Sequence, residues 1–356
     1  MQSSLLFVVF CDFLACTFQA SGQTEMSAPF AIRYFQRRCV MLLYTLKRLG
    51  GIMMTLLLLS LFTFTLSRVV PGGPWAQGAE IPMSEQQVAA FKAKYGLDKP
   101  PWQQYLIWLK NAILLDFGRP FTEPERTVTE LIVDTMPYSA LVGGVAATLA
   151  ITMGVSLGII AAAYQDTWTD TIVTSYAVVI ATIPSFVLAF IMKYFLAAKL
   201  QWFPAGSWGD PENWRDVAWH LVMPVVAFAL PATGNVARWT RQCIAEAMAS
   251  DYVRTAYAKG LRGTMVMVKH VLRNALIPMI TRFLPLYPGM MTGSLFIERV
   301  FGLPGLGKYF VVSSTNRDYP LVLGITMFWA IFIALTYFLT DVLYGIIDPR
   351  VRIMEK

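Results

Sequence analysis

The stretch most like an enzyme's is Gly302-Leu303-Pro304-Gly305-Leu306-Gly307-Lys308, which spells G-x-x-x-x-G-K. Loops of that pattern cradle phosphates on backbone N–H groups, but they also need Ser or Thr next, to hold magnesium, and a strand before them. Here Tyr309 follows and an apolar helical run precedes, so the stretch reads as a tight glycine-proline turn. His220 and His270 are predicted on opposite sides of a membrane. Cys11, Cys16, Cys39 and Cys243 lack metal-ligand spacing, so no metal site is expected. No Ser-His-Asp set or carboxylate pair stands out. An ionisable side chain inside a membrane is a functional candidate by default. Arg282 is the clearest, but it is one or two turns from the inner surface, where a long stem lets the charge snorkel out. Lys193, Glu298 and Asp341 sit near the ends of apolar runs and invite the same reading. The chain is expected to hold no catalytic residue, no metal and no cofactor of its own.

Chemistry is scarce because the chain is composed for lipid. Of its 356 residues, 56% are hydrophobic and 14% charged, against about 25% charged in soluble domains. The net charge of +7 does not form a basic domain for nucleic acid. Its cations cluster between apolar runs, as topology signals do. A crossing needs about 20 mostly apolar residues. Six runs qualify: 49–67, 137–163, 171–192, 217–237, 274–297 (interrupted by Arg282) and 320–340. With the first run leaving the cytoplasm, fifteen Lys and Arg fall on the inner side and five, Lys199, Arg215, Arg299, Lys308 and Arg317, in short outer loops. That split puts both termini inside. The inner turn around Asp166 and Asp170 departs from it, having no basic residue. Residues 1–40 admit three readings: a signal peptide lacking the usual leading Lys or Arg, an extra crossing, or an over-long start with Met41 as initiator. Phe13-Leu14-Ala15-Cys16 only faintly resembles a lipoprotein cleavage box.

Two segments outside the runs are long enough to fold. In the outer loop, 69–135, Ser84 with Gln87 makes a capping box, and Gly96 ends that helix. Pro100 and Pro101 start a second helix reaching to about Phe117, before Gly118. Its face of Trp102, Tyr105, Leu106, Trp108 and Leu109 suits either the membrane interface or an outer partner. In the inner segment, 238–273, Asp251 caps a short helix over 252–259, and Gly260 ends it, with Lys259 favouring its negative terminus. Val253, Ala256 and Tyr257 share one face. A helix of about eight residues is marginal alone in water, so something must hold it. Spacing alone favours a plain basic hairpin joining two runs. Within the runs, Gly154-Val155-Ser156-Leu157-Gly158 permits close helix approach. Pro184, Pro224, Pro231, Pro278, Pro285 and Pro288 bend three runs or their ends.

Several stretches together resemble one family, the inner-membrane permeases of ABC importers for dipeptides and oligopeptides. Arg68-Val69-Val70-Pro71-Gly72-Gly73-Pro74 is similar to its R-x-x-P-G-x-P. Tyr95-Gly96-Leu97-Asp98-Lys99-Pro100 with Gln104-Tyr105, and Asp116-Phe117-Gly118, match its outer segment. Asp251-Tyr252-Val253-Arg254-Thr255-Ala256-Tyr257-Ala258-Lys259-Gly260-Leu261 resembles its D-Y-V-R-T-A-x-A-K-G-L, and Lys269-His270-Val271-Leu272-Arg273-Asn274-Ala275 with Ile277-Pro278 continue it. Glu298 and Phe301 with Pro304-Gly305-Leu306-Gly307 match E-x-x-F-x-x-P-G-L-G, and Asp348-Pro349-Arg350-Val351-Arg352 is similar to the closing D-P-R-V-R. The likeness covers 41–353, leaving 1–40 as an extension and 354–356 as a tail. The inner motif stands where the family has its EAA loop, although Glu-Ala-Ala is not spelled there.

The resemblance implies an all-α integral membrane protein with the six-transmembrane-helix type I importer permease (MetI-like) fold. It implies a homologous second permease, two cytoplasmic ATPases that bind ATP and magnesium, and an extracytoplasmic substrate-binding protein. The segment from Asp251 to Leu261 becomes the coupling helix seated on an ATPase, with Arg254 and Lys259 facing acidic groups. Glu298, Phe301, Pro304, Gly305, Leu306 and Gly307 become an outer gate or a docking site for the binding protein. Peptides are the leading cargo, with nickel, glutathione, oligosaccharides and peptide antibiotics carried by similar permeases. A stand-alone secondary transporter is opposed by the lack of a midplane charge relay and an inverted repeat. A membrane enzyme is opposed by the missing catalytic set.

Overall fold

The computed structural model describes residues 28–69, 73, 75 and 84–347, with side-chain surroundings from 45 to 340. The readings for 1–27, for Val70-Pro71-Gly72 and Pro74, for Asp348 to Arg352 and for the tail lie outside those residues. The chain divides into two units, Met1–Leu59 and Ser60–Lys356, and the motifs described below fall in the second. Among the described residues all regular structure is helical. In chain order the helices are α1 (Ala28–Val69), α2 (Glu85–Lys94), α3 (Pro101–Ile113), α4 (Val128–Ala163), α5 (Trp168–Thr182), α6 (Ser185–Met192) and α7 (Trp214–Met248). There follow α8 (Asp251–Ala258), α9 (Gly263–Val266), α10 (Arg273–Phe283), α11 (Leu286–Met291), α12 (Leu295–Phe301), α13 (Leu306–Asn316) and α14 (Tyr319–Ile347). Wider π-helical turns, Lys193–Lys199 and Met267–Leu272, extend α6 and precede α10.

Among the described residues four helices are long and apolar enough to cross a bilayer: Thr45–Val69 of α1, α4, α7 and Tyr319–Thr340 of α14. They contain the runs 49–67, 137–163, 217–237 and 320–340. The run 171–192 is a bent pair instead, α5 and α6, turned through 93°. Pro184 lacks an N–H and pushes the residue before it out of the helical region, and Ile183 is extended at φ −80°, ψ 121°. The run 274–297 is likewise no single helix. It is divided into α10, α11 and the start of α12 by breaks at Leu284-Pro285 and at Gly293, whose φ is +90°.

Small residues set the packing. Lipid is as apolar as leucine, so helices inside it associate by close backbone approach rather than by hydrophobic expulsion. On α4, a Cβ added to Gly154 would stand 2.6 Å from Val236 Cβ, and one on Gly158 would stand 2.5 Å from Thr240 Cβ. The glycine pair seen in the sequence is thus the seam between α4 and α7. Beside it Ala146, Ala147, Ala150, Ala227 and Ala229 are buried. The outer surface is apolar, with Phe62, Ile172, Val179, Phe190, Leu335 and Leu339 exposed, as lipid favours.

The outer loop folds largely as its sequence signals. Ser84 and Gln87 form a complete capping box, and Pro101 opens α3. That helix stops at Ile113, short of Phe117, because Leu115 turns left-handed at φ 59°. An aromatic cluster ties the loop to α14. Phe121 meets Phe91, Tyr95 and Tyr319 at ring distances of 5.2, 4.7 and 6.0 Å, and the Arg68 guanidinium lies 4.5 Å over Tyr319. Beneath it the buried Asp318 carboxylate accepts from the Thr122 N–H and hydroxyl, both at 2.9 Å. Trp102 and Leu106 on α3 stay exposed.

Candidate functional site

α7 runs past the last apolar residues and hands directly to α8. Ser250, extended at φ −76°, ψ 148°, occupies the cap position, while Asp251, expected there, is the first helical residue. At that end its charge still suits the helix dipole. Its pairing with Arg254 at 3.8 Å is between side chains that are 97% and 79% exposed, so it adds little. Gly260 closes the helix as expected: its φ is +76°, its N–H donates to Tyr257 O at 2.9 Å, and Leu261 N–H reaches back to Ala256 O. Val253 and Ala256 are buried against Ile244, Val266, Val271 and Phe283. Tyr257 is 51% exposed, contrary to the shared face read from spacing. At about 100° per residue it sits on the rim of a stripe centred between 253 and 256. The short helix is therefore anchored on two small residues. Tyr252, Arg254, Thr255, Tyr257, Ala258 and Lys259 are left on its open side, with Gly260 beyond its end.

One contact nearby carries charge. The Asp170 carboxylate, in the first turn of α5, accepts from Arg241 Nε and an Nη of α7, both at 2.6 Å. Asp170 is nearly buried, and it also accepts from the Asp166 N–H and the Thr174 hydroxyl. The acidic inner turn thus has its cation, supplied from the segment 238–273. The sequence does not reveal this pairing, although that unbalanced turn is the available signal. Arg282 is exposed, with its guanidinium 5.7 Å over the Trp239 ring.

The outer motif is an internal clamp. Glu298, Phe301, Gly305, Leu306 and Gly307 are buried and Pro304 half-buried, so these side chains do not form an open docking face. α13 has no cap of its own at Gly305. Its first donors go instead to distant groups: Leu306 N–H to Ser139 Oγ at 2.8 Å, and Gly307 and Lys308 N–H to Glu298 Oε2 at 2.7 and 3.3 Å. The backbone donors that a phosphate would use in the G-x-x-x-x-G-K stretch are thus occupied by the chain's own Ser139 hydroxyl and Glu298 carboxylate. Gly293, Gly305 and Gly307 wall that carboxylate so closely that an added Cβ would stand 2.3, 2.3 and 2.9 Å from its oxygens. Glu298 lies just past the fifth apolar run. Burial pushes its acid up to about 6, only partly offset by the Ser139 hydroxyl and the donors from Gly307 and Lys308. Lys193, at the end of α6, donates to Val300 O at 2.5 Å and steadies the same helix.

Between these two ends a cleft of about 310 Å³ opens at the α5–α6 bend, lined by Ile183, Pro184, Phe228, Pro231, Asn235 and Trp239 among others. On α4, Thr148, Thr152 and Ser156 expose a ladder of hydroxyls, each donating one turn back to the carbonyls of Gly144, Thr148 and Thr152. Tyr287 joins Thr148 at 3.1 Å.

A family model described as the binding-protein-dependent transport system inner membrane component matches residues 154–353, more than half the chain. The chain belongs to this family. The companion N-terminal model of these permeases matches residues 41–141. Curated relatives agree along most of the chain. The dipeptide transport system permease protein DppB of Bacillus subtilis is 37% identical over 88% of this chain and 99% of its own length. The oligopeptide transport system permease proteins OppB of Haemophilus influenzae and Salmonella typhimurium are 38% and 37% identical, each over 88% of this chain and 100% of its own length. The protein is accordingly the inner-membrane permease subunit of an ABC importer, and ATP is hydrolysed by separate subunits.

Proposed function

We propose that this permease carries dipeptides or oligopeptides inward, handed over by an outer binding protein and driven by ATP used in partner subunits. It pairs with a homologous second permease above two cytoplasmic ATPases, which hold the ATP and magnesium. Both termini face the cytoplasm, and the six apolar runs make the crossings. The names of the relatives supply the cargo. The observation that carries the mechanism is α8, anchored by Val253 and Ala256, with its other face free. A helix held that way moves with its bundle and can seat on an ATPase. Alternating access then follows from ATP favouring one packing of the helices over another. The hydroxyl ladder of α4 supports a wet path, and the Glu298 clamp supports an outer gate held by its own carboxylate.

The test is Gly260→Val in the complete transporter in lipid vesicles. Nothing lies within 4 Å of an added Cβ, so the change acts through the left-handed backbone, at about 1–2 kcal/mol. Transport and peptide-stimulated ATP hydrolysis should both fall, with the bundle intact. Full retention of both would sink the coupling assignment.

A further inference from the structure

The coupling role of α8, on which the following rests, leaves a gap between α8 and the cleft, roughly 20 Å back along α7 from Ser250 to Asn235. Two features mark the packing of α7 on α5 along that stretch. The first is the Asp170–Arg241 pair, with both bonds at 2.6 Å. The second is a close approach: a Cβ on Gly234 would stand 2.4 Å from the Ala177 carbonyl oxygen. Asp170 to Ala177 runs two turns up α5, and Arg241 to Gly234 runs two turns back along α7. The contacts are therefore in antiparallel register. A further two turns along α5 comes Pro184, where the chain bends through 93° and the cleft opens.

We propose that the Asp170–Arg241 pair is a positioning contact of the transport cycle. It makes α5 travel with α7 and α8, so that displacement of the coupling helix arrives at the Pro184 bend and shifts the cleft wall. The chemistry favours a fixed link over a slipping one. The bonds from the Asp166 N–H and Thr174 hydroxyl orient the carboxylate. Parting the ions would strand a charge that is nearly buried. Gly234 keeps the backbones in contact, with Ile180 and Ala181 of α5 packed over it. Those contacts are apolar and non-directional, whereas the two-pronged ion pair holds one register.

The test uses the whole transporter in lipid vesicles, measuring peptide uptake and ATP hydrolysis in one preparation. Asp170→Asn and Arg241→Gln should raise the ATP consumed per peptide about 5-fold or more, the lower range of coupling between sites. The exchange Asp170→Arg with Arg241→Asp should bring the ratio back toward wild type. If the single variants fail to assemble, Arg241→Lys, which keeps the charge but loses the two-pronged bond, should still raise it about 2-fold. Uptake and hydrolysis falling in proportion, with the ratio unchanged, would overturn the proposal and leave the pair a merely structural brace. A wild-type complex whose hydrolysis ignores peptide would overturn the importer reading, and this proposal with it.

Discussion

Gly305→Ala should loosen the outer clamp more than its size suggests. The new methyl would stand 2.3 Å from Glu298 Oε2, 2.4 Å from its Cδ and 2.7 Å from Ser139 Oγ. The glutamate has nowhere to retreat, since it is buried and Gly293 closes its other side. Overpacking of this kind costs about 1–3 kcal/mol. Moving the carboxylate also weakens bonds from Gly307 and Lys308, each of a class whose complete loss costs about 1.5–3 kcal/mol. The two together come to about 3 kcal/mol. Followed by intrinsic fluorescence in detergent, the unfolding midpoint should drop about 3–5 °C. Gly302→Ala is the comparison. Its φ is +67° but no atom lies within 4 Å of an added Cβ, so it carries only the left-handed cost of about 1–2 kcal/mol. Truncating Glu298 to Ala removes the nearer obstruction and leaves only the Ser139 hydroxyl, which can rotate, so Gly305→Ala on that background should cost about half of what it costs alone. Strictly additive losses, or a single variant melting within about 1 °C of wild type, would refute the clamp.

Glu298 binds its proton more tightly when folded, its acid rising from 4.5 to about 6. Its stabilising contribution is therefore complete below the lower value and is lost as pH climbs through the upper one. The unfolding midpoint of wild type relative to Glu298→Gln should fall between those limits, by about 2 kcal/mol equivalent. Asp318, also raised by burial, titrates in both proteins and cancels; a pH-independent difference would count against the assignment. Gly158→Leu should break the α4–α7 seam, since even a Cβ meets Thr240 Cβ at 2.5 Å. Detergent-stable yield would show it, and wild-type yield would contradict the packing. In vesicles, Thr152→Cys should react with a membrane-impermeant thiol reagent and Leu335→Cys should not; equal labelling would remove the wet face from α4.

What the sequence disclosed was local. A capping box at Ser84, a proline at the first position of α3 and a left-handed Gly260 follow from neighbours within four residues, and each stands where expected. Continuity of the crossings was harder to see. Hydropathy cannot tell a straight apolar run from one cut at Pro184, Pro285 or Gly293, because all are equally greasy. The short helix lies within one residue of its expected span, but Tyr257 falls outside the buried face because eight residues define a stripe only loosely. The outer motif showed its letters without their purpose. Its glycines are spaced by the walls of a carboxylate, and that arrangement also needs Ser139, on another helix.

The Asp170–Arg241 pair has a consequence for how the protein is made. Its members lie 71 residues apart in the chain, so at about 5–20 residues per second the acid emerges several seconds before its base. During that interval the hairpin of α4 and α5 enters the membrane with an acidic turn and no local cation to choose its side. The pair closes only once α7 has been synthesised, so a nascent chain halted before Arg241 should leave the Asp170 carboxylate without its guanidinium partner.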